Sequence, residues 1–400
     1  MGFFMNAQSD LVTSLEWPAN LNEIPKAVFD DPDLYKMELE KIFYGPEWHV
    51  VAHRGEVPEK GDFKRFYLGE MPVLVIHGDD GQVRVFHNSC SHRGALVETK
   101  NRGNQLEFEC PYHRWLFSST GDMIGCPNSE EFSPGFDKKN FGLPEIRTDE
   151  YCGLVFATMS DETPDLKEWM GERMLDPLAR ILGGDGRIKL LGYQKVNYAC
   201  NWKAYVDNDG YHAPLLHPAF KLLNWQGGHG AQVPTENGHI VFEADLTIPD
   251  KVDLLDDPTL IEFKGTETSN GSLVISTFPI TVLTKHLDML NIRFAFPRDN
   301  DHTEVHYAYF CHEDDDEEMA RHRLRQASNL LGPSGMISLE DAAIFTRIHH
   351  GNISPGNAIF QKGVTNEREL NFTPAQNDET GNLPRWEYYR KLMGFRRATS

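Results

Sequence analysis

The sequence predicts an α+β protein in which a small all-β domain precedes a larger domain of antiparallel sheet and helices. Three observations lead there. Short alternating apolar segments crowd residues 48–157, a second set of strand-like runs lies between 239 and 311, and a well-delimited helix follows from 313. Four hundred residues also exceed what one core usually holds, so two domains are expected. The boundaries read as an N-terminal helical segment (1–45) that packs on the larger domain, the β domain (46–158), and the larger domain itself (159–400).

Within 1–45, the acidic stretch DPDLYKMELEKIF (Asp31–Phe43) reads as helix. DFKRFYLG, MPVLVIHG and QVRVFHN then alternate as strands do, with Asp79-Asp80-Gly81 as the hairpin turn between the last two. Further glycine turns are expected at Ser119-Thr120-Gly121 and Ile124-Gly125. Residues 160–225 read as largely helical. Segments 239–248, 271–283, 288–297 and 303–311 read as strands, the last two joined by the turn Arg298-Asp299-Asn300-Asp301. The helix after them carries acids from Glu313 to Glu318 at its start and Arg321, Arg323 and Arg325 further on. Gly332-Pro333 ends it, as the helix dipole and C-cap geometry favour.

Composition is that of an ordinary globular protein, with 40% hydrophobic and 25% charged residues. A formal net charge of −21 disfavours sequence-independent binding to nucleic acid or anionic lipid, because the phosphate term would be repulsive. No apolar run approaches a membrane span, and MGFFMNAQSD has no secretory signal features. Six cysteines in 400 residues do not make a disulfide framework, so a reducing cytoplasm is expected.

The segment NSCSHRGALVETKNRGNQLEFECPYHRWLF holds the first chemical constellation. Cys90 and His92 lie two apart, and after seventeen intervening residues Cys110 and His113 follow three apart. Two short loops, each with one Cys and one His, are what a [2Fe–2S] cluster needs when two thiolates bind one iron and two imidazoles the other. A structural zinc site is the competing reading, but zinc fingers usually group Cys with Cys and His with His. The boxes Cys90-Ser91-His92-Arg93-Gly94 and Cys110-Pro111-Tyr112-His113-Arg114-Trp115 resemble those of the Rieske non-haem iron oxygenases, large-subunit type. Respiratory Rieske proteins add a disulfide within these boxes, and here Ala95 and Tyr112 stand at those positions.

A second constellation lies in NWKAYVDNDGYHAPLLHP. His212, His217 and a carboxylate would form the two-histidine, one-acid face that activates oxygen at non-haem iron. On an unbroken helix two side chains five apart point about 140° apart. Pro214 is placed to break the helix between them. The resemblance covers this segment too, through Asn201-Trp202-Lys203, Asp207-Asn208, Asp209, His212 and His217. It implies Asp209 as a bridging acid between the two centres, with Asp207 the alternative. The box Gly332-Pro333-Ser334-Gly335 resembles the family's as well, and its spacing implies Asp341 as the third iron ligand, with Glu340 as fallback. A capping role for Asp341 at the helix AAIFTRI is the plain alternative.

The resemblance implies a helix-grip, START-like larger domain and a homotrimer or α3β3 assembly with a small β subunit. Electrons would pass from one subunit's cluster to the next subunit's mononuclear Fe(II), with Asp209 accepting hydrogen bonds from His212 and from His113 of the partner subunit. The Gly-rich runs at 183–186 and 227–230 lack the GxGxxG spacing. NAD(P)H would therefore act through a separate flavin reductase, with or without a ferredoxin. Within the family, FPITVLTKHLDMLNIRFAFP looks most like oxygenases of salicylate, anthranilate and terephthalate. Arg293, with Asn208 as a further substrate contact, is the candidate clamp for an aromatic carboxylate; an outward Arg293 paired with a surface acid is the alternative. Aromatic-ring hydroxylation by O2, with one or both oxygen atoms inserted, is the leading activity. Oxidative demethylation and a bare electron carrier are the competitors. The remaining histidines and Cys126, Cys152, Cys200 and Cys311 read as structural.

Overall fold

The computed structural model describes residues 15–208, 230–245, 257–265 and 271–399. They fall into two compact units, one spanning Phe43–Leu166 and one formed by the chain on either side of it. Strand β1 (Glu23–Pro25) and helix α1 (Pro32–Glu38) come first. The Asp31 carboxylate accepts from the backbone N–H groups of Asp33 and Leu34, and Pro32 opens the helix, so the start of α1 is set locally.

The smaller unit contains β2 (His49–His53), β3 (Asp62–Leu68), β4 (Met71–His77), β5 (Val83–His87), β6 (Arg102–Asn104), β7 (Glu107–Glu109), β8 (Leu116–Ser118), β9 (Met123–Gly125), β10 (Glu145–Tyr151) and β11 (Leu154–Thr158). Seven of these form one sheet in the order β2-β11-β10-β5-β4-β3-β6, and β7-β8-β9 form a small second sheet. The expected hairpin closes at Gly81, whose φ of +86° a side chain would resist. Phe63, Leu74, Ile76, Phe86, Phe108 and Phe117 bury together with Cys90, Cys110 and Trp115, so the core of the sheets extends into the cysteine loops. Ile124-Gly125 is part of β9, where a turn was expected.

The larger unit follows with α2 (Leu166–Met170) at the boundary, then α3 (Glu172–Ile181), β12 (Ile188–Tyr198), α4 (Trp202–Val206), β13 (Gly230–Pro234), β14 (Ile240–Ala244), β15 (Ser272–Thr277), β16 (Thr281–His286), β17 (Met289–Asp299), β18 (His302–His312), α5 (Glu317–Leu331), α6 (Ser338–Gly351), β19 (Asn357–Ile359) and α7 (Leu383–Met393). Its seven-stranded antiparallel sheet runs β12-β18-β17-β16-β15-β14-β13. β1 pairs with β19. The expectation of helix across 160–225 fails at β12, an eleven-residue strand. β12 is an edge strand, half exposed and carrying Lys189 and Lys195, and a bulge between Leu190 and Gly192 breaks its alternation. The stretch 271–283 is also two strands, turned at Phe278-Pro279.

Helix α5 begins where Asp316 accepts from the Met319 N–H and ends at Gly332, as the charge pattern predicts. A Cβ on Gly332 would sit 2.5 Å from the Ser328 carbonyl and 2.6 Å from the Tyr309 hydroxyl oxygen. The chain therefore needs glycine there to turn into α6. Helix α4 is only five residues long and cannot stand alone. Its Lys203 Nζ donates to the fully buried Glu38 at 2.8 Å, Trp202 Nε1 donates to the same carboxylate at 2.7 Å, and the Tyr389 hydroxyl joins them from α7.

Two predictions follow from the buried polar groups. Lys203→Met should destabilise the protein by about 3–5 kcal/mol in urea unfolding, because it strands the Glu38 charge. Adding Glu38→Gln, which neutralises that charge and keeps an acceptor, should recover more than half of the loss. Burial lowers His53 to about 4 and His239 to about 3. Each ring is held neutral, with Nδ1 accepting from a backbone N–H and Nε2 facing a carbonyl. Below about pH 6.5 the unfolded chain binds protons that these folded rings refuse, so stability falls as pH drops, by up to roughly 1.4 kcal/mol per pH unit for each ring. For His53 the loss should level off near pH 4. His53→Gln should flatten its share of that slope in unfolding curves taken between pH 4 and 6.5.

Candidate metal centres

The two cysteine loops of the smaller unit have matching backbones. In the first, the Gly94 N–H donates to the Cys90 carbonyl at 2.9 Å, and the Cys90 N–H donates to the Ala95 carbonyl at 2.8 Å. In the second, the Arg114 N–H donates to the Cys110 carbonyl at 3.0 Å, and the Cys110 N–H donates to the Trp115 carbonyl at 2.8 Å. The fifth residue of each loop is left-handed: Gly94 at φ +75° and Arg114 at φ +58°. For Arg114 that conformation costs on the order of 1–2 kcal/mol.

These loops sort their donors by depth. Cys90 and Cys110 are buried, whereas His92 is exposed and His113 partly so. The imidazoles face each other with centroids 4.6 Å apart, and His92 stacks on Trp115 at 4.6 Å. Burial and the adjoining Cys110 thiol push Cys90 up, while partial desolvation and the neighbouring His113 and Arg93 hold His92 below its ordinary value, in the neutral form a metal requires. Arg93 spans the loops, its guanidinium 5.4 Å from the centre of the Tyr112 ring.

A single tetrahedral zinc would draw donor atoms to within about 3.3–3.8 Å of one another. Among the described residues, no three donor atoms of this set lie within 4.8 Å of each other. Buried thiols with outward imidazoles, spread over more than one ion's width, fit a two-iron cluster. One triad does come that close, Asp30, Asp301 and His349. There the Asn201 N–H points at His349 Nδ1, and His349 Nε2 lies 3.3 Å from Asp301. That triad is a hydrogen-bonded corner of the fold.

In the larger unit, Asp209, His212 and His217 lie outside the described residues. The chain leading to them is held firmly. Asp207 Oδ1 accepts from Trp386 Nε1 at 2.7 Å, the Asp207 carbonyl accepts from Asn382, and Arg385 donates to the Val206 carbonyl. Asn208 is partly buried in the turn after α4. Asp341 lies inside the first turn of α6 and is buried, so it is not the N-cap that the plain reading made it. Its helical face continues through Phe345, which packs edge-on against Tyr198 of β12 and Tyr205 of α4. Glu340 is less buried than Asp341.

Beneath α4 and α6 the sheet presents a floor set by strand register. Arg293 is paired with Tyr307 across β17–β18, and Asn291 with Thr284 across β16–β17, so all four project to one side. The Arg293 guanidinium lies 5.2 Å over the Tyr307 ring, and the Tyr307 hydroxyl meets that of Tyr198 at 2.8 Å. Burial opposes the charge of Arg293, but the phenol oxygens of Tyr307, Tyr205 and Tyr198 and the carboxylate of Asp341 hold its pKa above the ordinary value. Among the described residues its enclosed Nε has no hydrogen-bond partner, nor do Thr284 Oγ1 and both amide atoms of Asn291. Asn291 and Thr284 escaped the sequence reading, although period-two alternation puts Asn291 on the same face as Arg293.

Comparison with known proteins agrees with both centres. Residues 47–145 match the family described as Rieske [2Fe-2S] domain, and residues 186–383 match the ring hydroxylating alpha subunit, catalytic domain. The chain is 32% identical to the anthranilate 1,2-dioxygenase large subunit of Burkholderia cepacia over 94% of both chains. It is 29% identical to the terephthalate 1,2-dioxygenase terminal oxygenase component subunit alpha 2 of Comamonas sp, over 95% of this chain and 98% of that one. Naphthalene 1,2-dioxygenase from Rhodococcus sp., solved with indole bound, superimposes with a TM-score of 0.81 at 22% identity, covering 93% of this chain and 94% of that one. With a cluster-binding β unit joined to a catalytic unit of this form, the chain belongs to the ring-hydroxylating Rieske oxygenases, as a large (alpha) subunit.

Proposed function

We propose that this subunit hydroxylates an aromatic carboxylate, with Arg293 as the clamp for the carboxylate group. The observation that carries the reading is a guanidinium set among Tyr198, Tyr205 and Tyr307, on the sheet face below Asp341, with an enclosed and unbonded Nε. An unpaired buried donor costs about 1–3 kcal/mol, and more when charged. A ligand carboxylate would remove that cost through a charge-assisted pair. The anthranilate and terephthalate oxygenases named above are relatives whose names specify aromatic acids.

Cys90, His92, Cys110 and His113 would hold the [2Fe–2S] cluster, and His212, His217 and Asp341 the mononuclear iron. When bound, these groups supply one-electron transfer and oxygen activation. The chain's own part is to hold the ring. Arg293 fixes one end of the substrate, the aromatic wall keeps water from the reacting face, and Asn208 lines the approach. Asp209 would bridge the centres of neighbouring subunits. The engagement of Asp207 by Trp386 supports Asp209 over Asp207 for that task. Within this proposal the working assembly is a homotrimer or α3β3, supplied with electrons from NAD(P)H by a flavin reductase, with or without a ferredoxin. A reducing cytoplasm is the compartment this reading assigns, since Cys90 and Cys110 must stay as thiolates to hold the cluster.

The test is turnover of an aromatic-acid panel in labelled O2 with a generic reductase. Label in a hydroxylated ring acid is expected, whereas formaldehyde release from methylated substrates alone would sink the reading. Arg293→Gln should raise KM for aromatic acids by about 10–100-fold, and Arg293→Lys should recover little of it, because lysine cannot form the bidentate pair. His212→Ala should lower iron from about three to about two per chain while the cluster's visible spectrum persists. Asp209→Asn should retain both metals and lose coupled turnover, measured as product per NADH consumed.

A further inference from the structure

We propose that Asn291, with Thr284 beside it, forms a second polar subsite that reads an amino or hydroxyl substituent on the ring of the aromatic acid. This rests on Arg293 as the carboxylate clamp and narrows the substrate class within that reading.

Asn291 is fully buried, yet among the described residues neither its amide nitrogen nor its amide oxygen has a hydrogen-bond partner. Thr284, directly opposite on β16 and 1% exposed, leaves its hydroxyl unbonded as well. Buried amides and hydroxyls are nearly always satisfied, and two adjacent exceptions call for an explanation. Their position supplies one. Asn291 is two residues before Arg293 on the same strand face, about 6.8 Å along it by strand rise. A ring whose carboxylate lies on Arg293 would bring its other substituents within reach of that pair.

The chemistry of the pair selects the substituent. An amide and a hydroxyl each offer a donor and an acceptor, matching a ring amino or hydroxyl group. A second carboxylate offers only acceptors and would call for a second cation. Among the described residues around this floor, Arg385 is committed to the Gly238, Val206 and Ser276 oxygens, and Lys203 to Glu38. A monocarboxylate with an amino or hydroxyl group is therefore the better fit, and a dicarboxylate the poorer.

The experiment is equilibrium dialysis of the iron-loaded oxygenase, without reductant, against benzoate, 2-aminobenzoate, 2-hydroxybenzoate and terephthalate. Wild type should bind the amino and hydroxy acids about tenfold or more tighter than benzoate, and terephthalate no tighter than benzoate. Asn291→Leu and Thr284→Val should erase that preference and leave benzoate affinity within about threefold. Asn291→Leu should also raise the urea midpoint of the ligand-free protein, since it removes unpaired buried polar atoms; a structural asparagine would lower it. A preference that survives both substitutions, a lowered midpoint, or loss of benzoate binding in both variants overturns the subsite. If wild type fails to bind benzoate or any other acid, Arg293 is no clamp, and the parent reading falls with this one.

Discussion

The catalytic unit depends on how a five-residue helix is held. Helix α4 is too short to nucleate or persist by itself, and it leads directly into the segment carrying Asp209, His212 and His217. What fixes it is a buried carboxylate. Glu38 gathers Lys203 and Trp202 from α4 and Tyr389 from α7, and α7 adds Arg385 and Trp386 at the other end of the helix. A fully desolvated ion pair is a weak source of net stability but a strict source of geometry, since any slip leaves a charge unpaired. The Asn-Trp-Lys box thus becomes a positioning device: Asn201 caps α4, Trp202 and Lys203 lock it, and the chain leaves it in a fixed direction.

The two proposed centres would hold their metals in opposite ways. The cluster loops are local. Each closes on itself through two backbone hydrogen bonds and one left-handed residue, and each buries its cysteine in the core of the β unit. The mononuclear centre would draw its ligands from segments more than a hundred residues apart, with α6 delivering Asp341 only because Gly332 and Gly335 allow the chain to turn tightly against α5 and Tyr309. A local site is set by its own motif. A distributed one needs the whole sheet in register.

That difference explains what the sequence made legible. The pairing of Cys90 with His92 and of Cys110 with His113 on two short loops could be read from spacing, because the turn that closes each loop is written in the same six residues. The helix α5 and the hairpin at Gly81 were legible for the same reason, their caps and turns being local. β12 was not, because an edge strand with a bulge and exposed lysines has no clean period. The roles of Asp207 and Asn291 were hidden for a different reason. A partner of Asp207 is Trp386, nearly two hundred residues away, and the significance of Asn291 lies in having no hydrogen-bond partner among the described residues, a property no pattern of residues displays.

A sheet floor with an enclosed guanidinium nitrogen, an unbonded amide and an unbonded hydroxyl is costly for a protein to fold around. Elsewhere among the described residues the unpaired buried atoms are single ones, such as Asn22 Oδ1, Gln376 Oε1 and Asn382 Oδ1, while other polar side chains are fully engaged. Arg385 is bound to backbone and side-chain oxygens, and Gln326 satisfies the N–H groups of Asp288 and Met289 with one oxygen and two carbonyls with its nitrogen. Among the described residues Asn291 alone leaves both amide atoms unpaired, and it does so opposite Thr284 and on the strand face of Arg293. A ligand that satisfies all three groups would recover that cost at once. Such a floor discriminates by what it leaves unpaired: an unsubstituted ring would bury the same apolar area and still leave Asn291 unsatisfied.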